Sequence, residues 1–398
     1  MAPHELYHRA CLSWHGLLSL GIKLFVITPP TLAINLLRAI PLCIRRGLPV
    51  LPYIYCNLIR TLMNTLTPSQ LQFILPPTGT VYLVWLAATL SRGILTHEQD
   101  NTYLSSRLKR DIQPLSDGKS AILWLGDRAR ATKFVLFLHG GGYVLPLDAG
   151  HLNWCRNAYL AAAEEAGEEV AVAVLQYSLC PGDAYPTQLL QAIEALGVIL
   201  DGGRVSPADV VFGGDSCGGH MAAGLMSHLV HPLPGAPRIE LPDGQRFAGV
   251  FLVSPWLSHV DDGLAFRENE YLDMVSAKVV RQATDFVMRD GARLRSSGAW
   301  NALGWALPGD MSEPTWWDGV GEVVSDVLVT VGRNEVLRDE VVSFARRIQE
   351  RTPAANVVLD VRPRDAHDFI LLEGQLNRVG GATTYMKSWY KGLLQRKC

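Results

Sequence analysis

The residues Gly214-Asp215-Ser216-Cys217-Gly218 set a serine between two glycines, with the apolar run Val210 to Phe212 before it and a helical pattern from Gly218 after it. This is the pattern of a nucleophile carried on a sharp strand-to-helix turn, where glycines permit a strained backbone and close packing. The helix start beneath the serine favours negative charge developing there. An ordinary glycine-serine turn is the bland alternative, and the flanking strand and helix argue against it. A second motif, His139-Gly140-Gly141-Gly142-Tyr143, follows the apolar run Phe134 to Leu138 and begins 77 residues before Ser216. Glycines leave backbone N–H groups open to a substrate oxygen, so Gly141, Gly142 and the N–H of Cys217 are the candidate oxyanion donors. His139, Gly140, Gly214, Asp215 and Gly218 support the two motifs.

A serine hydroxyl attacks a carbonyl only when a base takes its proton, and the base must be held by an acid. Of the eleven histidines, five follow Ser216: His220, His228, His231, His259 and His367. His367 alone stands in a turn after a late strand pattern, Val357 to Val361, and is the candidate base. The acid should follow the strand before that, Val327 to Val331, where the turn from Gly332 offers Glu335 and Asp339. Glu335 is the better placed, and Asp339, one turn further into a helix, reads as structural. The expected set is therefore Ser216, Glu335 and His367, with no metal and no cofactor.

These residues need a scaffold, and the pattern after Asn101 supplies one. Short apolar runs at Ala121 to Leu125, Phe134 to Leu138, Val170 to Gln176, Val210 to Phe212, Val250 to Val253, Val327 to Val331 and Val357 to Val361 read as strands. Amphipathic stretches between them, such as Leu152 to Ala166, Pro186 to Leu200, Gly218 to Leu229, Glu335 to Arg351 and Thr383 to Leu394, read as helices. The alternation predicts an α/β fold, a mostly parallel doubly wound sheet covered on both faces. One segment, Asp261 to Trp317, shows no strand pattern and holds Trp300, Trp305, Trp316 and Trp317. It reads as a lid-like insertion at about 261–317 whose aromatic rings would wall a pocket for a large apolar substrate.

Taken together, His139 to Gly142, Gly214 to Gly219 and Asp365-Ala366-His367-Asp368-Phe369 resemble the hormone-sensitive-lipase-like family of α/β-hydrolases. Tyr177-Ser178-Leu179-Cys180-Pro181 and Ser254-Pro255-Trp256 resemble two further landmarks of that family, and the match spans about residues 100–398. The block Trp317 to Asp339 looks like the fungal branch that includes steryl acetyl hydrolase. The resemblance implies an α/β-hydrolase fold with a helical cap and a serine carboxylesterase acting on a short acyl ester, such as an acetate, of a bulky lipophilic alcohol, a sterol or a fungal specialised metabolite. It departs from the family at Glu335, where an aspartate is usual, and at Cys217, where alanine is common. An amidase or formamidase on the same residues is the rival reaction. A non-catalytic ligand-binding protein on the same scaffold is the rival from another class, and it leaves a full set of serine, acid and histidine unexplained.

The rest of the chain bounds these readings. With 398 residues, 48% of them hydrophobic, it can bury a large core, and a net charge of -2 gives no basic surface for nucleic acid. Residues 1–96 carry seven basic side chains and one acidic, leaving -8 on the remainder. This apolar, basic region 1–100 is expected to be a helical cap on the catalytic domain 101–398 or a membrane-associated segment lying in a bilayer surface. No clean spanning helix is expected, because Lys23, Pro29-Pro30, Arg38 and Pro41 interrupt the first run and Pro76-Pro77 split the second. Seven scattered cysteines fit reduced thiols, and with no N-x-[ST] sequon the chain is expected to be cytoplasmic or associated with the endoplasmic reticulum, and not secreted.

Overall fold

A computed structural model of the chain describes residues 6, 9–95, 102–288 and 302–396. Eight strands form one sheet: β1 (Ile112–Pro114), β2 (Ala121–Leu125), β3 (Lys133–Leu138), β4 (Val170–Gln176), β5 (Val210–Asp215), β6 (Gly249–Val253), β7 (Asp326–Gly332) and β8 (Asn356–Arg362). Their order is β1-β2-β4-β3-β5-β6-β7-β8, with β2 antiparallel to both neighbours and every other pair parallel. Strands β2 and β4 to β7 are buried along their whole length, as apolar runs must be when helices cover both faces. The three-residue β1 has no apolar run to announce it. It ends in Pro114, a residue the sheet accepts at an edge.

The register of the parallel strands decides where the chemistry can be. Leu138 pairs with Gly214, Asp215 with Val253 and Gly332 with Arg362, so β3, β5, β6, β7 and β8 all finish along one edge. The loops leaving that edge carry His139 to Tyr143, Ser216, Ser254, Glu335 and His367. The helix expected from Glu335 begins instead at Arg338, because the Glu335 side chain turns back to accept the Gly332 N–H at 2.9 Å.

The N-terminal region departs from expectation. Residues Trp14–Arg45 form one continuous helical run, 32 residues long, apolar enough to cross a membrane by length and composition. Pro29 and Pro30 do not break it. They lie in the first turn of a helical segment directly after a π turn at Lys23–Ile27, where the Thr28 N–H donates to the Lys23 carbonyl five residues back. The second apolar run does divide at Pro76-Pro77, into helices Pro68–Ile74 and Thr78–Leu95. Helix Val50–Thr65 ties this region to the rest of the molecule: Tyr53 Oη donates to the Arg364 carbonyl at 2.9 Å and Asn57 Nδ2 to that of Tyr271 at 3.0 Å.

The insertion is helical where it is described, with helices Leu264–Asn269, Ala277–Met288 and Ala302–Ala306. Its described tryptophans do not line the cavity beside Ser216. Trp305, Trp316 and Trp317 are buried as core, the first two edge to face at 5.2 Å, with their ring N–H groups held by the His231 carbonyl and Ser227 Oγ. Trp300 lies outside the described residues. Indole rings whose N–H finds a partner in the body of the protein are better buried there than exposed in a cleft.

Candidate active site

Ser216 sits at the tip of β5 with φ of 50° and ψ of -116°, a left-handed conformation that few residues other than glycine adopt. The turn is held from both sides: Ser216 N–H donates to the Val253 carbonyl at 2.9 Å, and its own carbonyl accepts from His220 at 2.9 Å and Trp256 at 3.1 Å. Gly214 and Gly218 make the approach possible. A Cβ on either would lie 2.0 or 1.9 Å from the Leu138 carbonyl oxygen. Sequence spacing alone marks these glycines, but the backbone they must clear belongs to β3.

The loop after β3 turns through Gly141, at φ 109°, Gly142 and Tyr143, each in the left-handed region. Among the described residues the N–H groups of Gly141 and Gly142 have no backbone acceptor, and both residues face the cavity with Ser216 and Cys217. Cys217 opens helix Cys217–Val230, whose first N–H groups are free by helix geometry. Its thiol accepts the Tyr143 N–H at 3.2 Å, and burial pushes that thiol up to about 12, so it packs as a neutral group. Gly140 N–H is taken by Asp215 Oδ2 at 3.0 Å, which anchors the loop to the serine turn. His139 is a buried support: Tyr177 Oη donates to its carbonyl at 2.8 Å, the two rings stack at 4.3 Å, and burial with His151 nearby pushes the imidazole down to about 3.

His367 and Glu335 are both fully enclosed, with His367 Nδ1 3.0 Å from Glu335 Oε2. Asp339 is engaged elsewhere, accepting the Ala265 N–H at 2.9 Å and pairing with Arg338 at 2.8 Å. His367 lines the same cavity as Ser216, although no hydrogen bond joins them among the described residues. Catalytic hydrogen bonds often tighten only when substrate is bound. Burial opposes the charged imidazole, but the Asp368 and Glu335 carboxylates outweigh it and hold His367 above its ordinary range.

Three groups that motif reading assigned no role stand beside this set. Asp368, in a left-handed turn, lies 3.6 Å from His367 Nε2, and burial with Asp215 nearby pushes its carboxyl well above the usual range. His151 Nε2 lies 3.2 Å from Asp215 Oδ2. Burial alone would raise Asp215, but the His151 and His139 rings and its contact with Asp368 bring it below the usual value. Asp273, from the insertion, is buried beside Glu335 and His367. Neither His151 nor Asp273 carries a local signature in the sequence. Asp368 adjoins the histidine, but nothing in the pentapeptide tells which way it points.

The cavity measures about 300 Å³. Ile59, Leu62, Met63 and Leu71 from the N-terminal helices form one wall, and Val275 and Val280 from the insertion form another. With its apolar sides and a few polar groups converging at one end, it has the make-up of a site for a small lipophilic molecule.

The model of a family described as alpha/beta hydrolase fold matches residues 135–371. A Schizosaccharomyces pombe protein named provisionally as the steryl acetyl hydrolase mug81 is 25% identical over 290 residues, 71% of each chain. Neutral cholesterol ester hydrolase 1 of Mus musculus is 23% identical, matching 57% of this chain and 64% of its own length, so this chain spans just under two thirds of that relative. Among solved structures, an esterase from the bacterial hormone-sensitive lipase family superposes with a TM-score of 0.52 at 21% identity, covering 79% of this chain and 98% of its own. With the family model matching more than half of the residues and the sheet order and strand-edge loops described above, the chain belongs to the alpha/beta hydrolase fold family.

Proposed function

We propose that the protein is a serine carboxylesterase that removes a short acyl group, such as acetyl, from a bulky lipophilic alcohol. The observation that carries this reading is a cavity, mostly apolar, at one end of which stand Ser216, the Gly141–Gly142 backbone, and a histidine held by Glu335 at 3.0 Å. His367 takes the Ser216 proton as Oγ bonds to the ester carbonyl carbon, and the oxyanion rests on the N–H groups of Gly141, Gly142 and Cys217. The carbon–oxygen bond to the alcohol then breaks, and the alcohol leaves with the proton from His367. Water, deprotonated by the same base, attacks the acyl-enzyme, and Ser216 regains its proton as the acid departs. The names of the yeast and mouse relatives, both ester hydrolases of sterol type, favour a sterol-sized alcohol.

The test is hydrolysis of p-nitrophenyl acetate, butyrate and octanoate and of a sterol acetate by the purified chain, with a fluorophosphonate label. Turnover and labelling that vanish together in Ser216→Ala support the reading. A folded wild-type protein that neither turns over nor takes the label overturns it in favour of a binding protein.

The N-terminal helical run supports a second element of the proposal, that the protein lies on a bilayer. Trp14, Phe25, Leu37, Ile44 and Leu51 are each more than two-thirds exposed, far more apolar surface than a soluble face holds, and neighbouring Arg38 and Arg45 suit anionic headgroups. An apolar substrate would then reach the cavity wall formed by helices Val50–Thr65 and Pro68–Ile74 without crossing water.

A further inference from the structure

One buried carboxylate has no part in the mechanism above. Asp273, in the insertion between β6 and β7, is fully enclosed. Its Oδ2 accepts the Val336 N–H at 2.6 Å and its Oδ1 the Val275 N–H at 3.3 Å. Val275, like Asp273, belongs to the insertion, and Val336 follows Glu335, so the bond to Val275 fixes the carboxylate within the insertion and the bond to Val336 ties the insertion to the acid turn. They also aim the carboxylate: an oxygen of Asp273, an oxygen of Glu335 and a ring nitrogen of His367 all lie within 4.8 Å of one another. No lysine or arginine pairs with Asp273 among the described residues. The charges it feels are those of the His367 imidazole and of Arg60, a buried guanidinium that donates to the Val275 carbonyl at 3.2 Å.

A second anion buried beside the first is costly unless something compensates for it. Here the compensation would come when His367 becomes positively charged, which in acyl transfer happens as Ser216 loses its proton. Resting on the serine-esterase reading, we propose that Asp273 is a positioning residue of the reaction, a second carboxylate that the insertion delivers to the catalytic histidine so that Glu335 and Asp273 together hold and stabilise the imidazolium. The insertion thereby acts on the base as well as on the substrate. Glu335 stands where an aspartate is usual, and its role becomes shared rather than exclusive.

The titration of the cluster agrees with this arrangement. Burial and the Glu335 charge push Asp273 up to about 6, even though His367 pulls it the other way. The groups facing His367 are Glu335, Asp273 and Asp368, with Asp215 and His151 behind Asp368. Asp368, 3.6 Å from Nε2, contributes to the raised imidazole as well, and Glu335 and Asp273 are the two further carboxylates that favour the imidazolium. Because the folded protein holds Asp273 above its ordinary value, ionising it weakens the fold as pH rises from the normal aspartate range to about 6. Removing the charge should therefore shrink the loss of Tm between pH 5 and pH 8 while harming the reaction, whereas replacing a residue that only packs would leave that loss unchanged.

The experiment compares wild type, Asp273→Asn, Glu335→Gln, the double variant and Ser216→Ala in the full-length protein. It measures p-nitrophenyl acetate turnover from pH 5 to 10 and Tm at pH 5 and 8. Asp273→Asn is expected to lower kcat about 3- to 10-fold with KM within about 2-fold, to move the acid limb of the profile to lower pH, and to narrow the Tm difference between pH 5 and 8. Glu335→Gln is expected to stay about 10-fold or more above the double variant. The inference is overturned by an Asp273→Asn enzyme with unmoved kcat and acid limb, or by a Glu335→Gln enzyme no better than the double. If Asp273→Asn does not fold, Glu335→Gln alone decides: an acid limb that stays above the ordinary imidazole range supports the second carboxylate, and a limb that falls into that range overturns it. Hydrolysis retained by Ser216→Ala overturns the esterase reading and this inference with it, whereas loss there with an unmoved Asp273→Asn profile overturns this inference alone.

Discussion

At the scale of the residue, the proposed chemistry makes unequal demands on neighbouring side chains. Ser216→Ala removes the only group that bonds to the acyl carbon, so esterase activity should fall by about 10⁴-fold or more in a protein with unchanged Tm. Asp339→Asn should leave kcat within about 2-fold, because Asp339 is bound to Ala265 and Arg338 and not to the histidine, whereas Glu335→Gln should cost about 10²- to 10³-fold. Kinetics on the two variants would separate the carboxylates that the turn Gly332 to Asp339 left open. The serine, the glycines and the histidine were legible because each belongs to a short pattern in which type and spacing both carry chemistry. Asp273 and His151 were not, since their roles arise only from what the fold brings beside them, at separations of 62 and 64 residues from Glu335 and Asp215.

At the scale of the element, the strands were readable and the helices' surroundings were not. Continuous apolar runs mark β2 to β7 because both faces of the sheet are covered, and the ends agree with the structure to within a few residues. Prolines misled in the N-terminal run: read as breaks, Pro29 and Pro30 in fact open a helical segment. That helix has a surface to account for. Replacing Trp14, Phe25 and Leu37 together with serine should shift the protein from floated anionic vesicles to the soluble fraction, while p-nitrophenyl acetate turnover stays within about 2-fold, because none of the three lines the cavity. On the insertion, Val280→Trp fills space in the cavity wall and should slow a sterol acetate at least about 10-fold more than p-nitrophenyl acetate. Equal slowing of both would place the damage in the chemistry rather than in the walls.

At the scale of the whole molecule, the site is a junction of three parts of the chain. The sheet edge supplies the serine, the acid and the histidine, the N-terminal helices supply one apolar wall, and the insertion supplies the other wall and Asp273. Its pH behaviour follows from that crowding. Carboxylates hold His367 above the ordinary imidazole range, so its contribution to stability is fully present below that range and is lost as pH rises through the raised value. The neutral form is the one that can take the serine proton. Activity should therefore climb through the neutral and alkaline range while this part of the stability declines, a divergence visible by measuring kcat/KM and Tm on the same buffers. EDTA should leave the activity unchanged, because the proposed nucleophile, base, acid and oxyanion donors are all side chains or backbone of the chain itself. The sequence by itself determined the alternating scaffold, the strained serine turn and the glycine loop, since these depend on local sterics and on hydrophobic runs that neighbouring residues specify. Tertiary structure alone decided which carboxylates meet the histidine, whether the insertion's tryptophans face core or cavity, and which faces of the N-terminal helices close the pocket. Each of these is a contact between segments far apart in the chain, set by strand register and packing rather than by any pattern that neighbouring residues can carry.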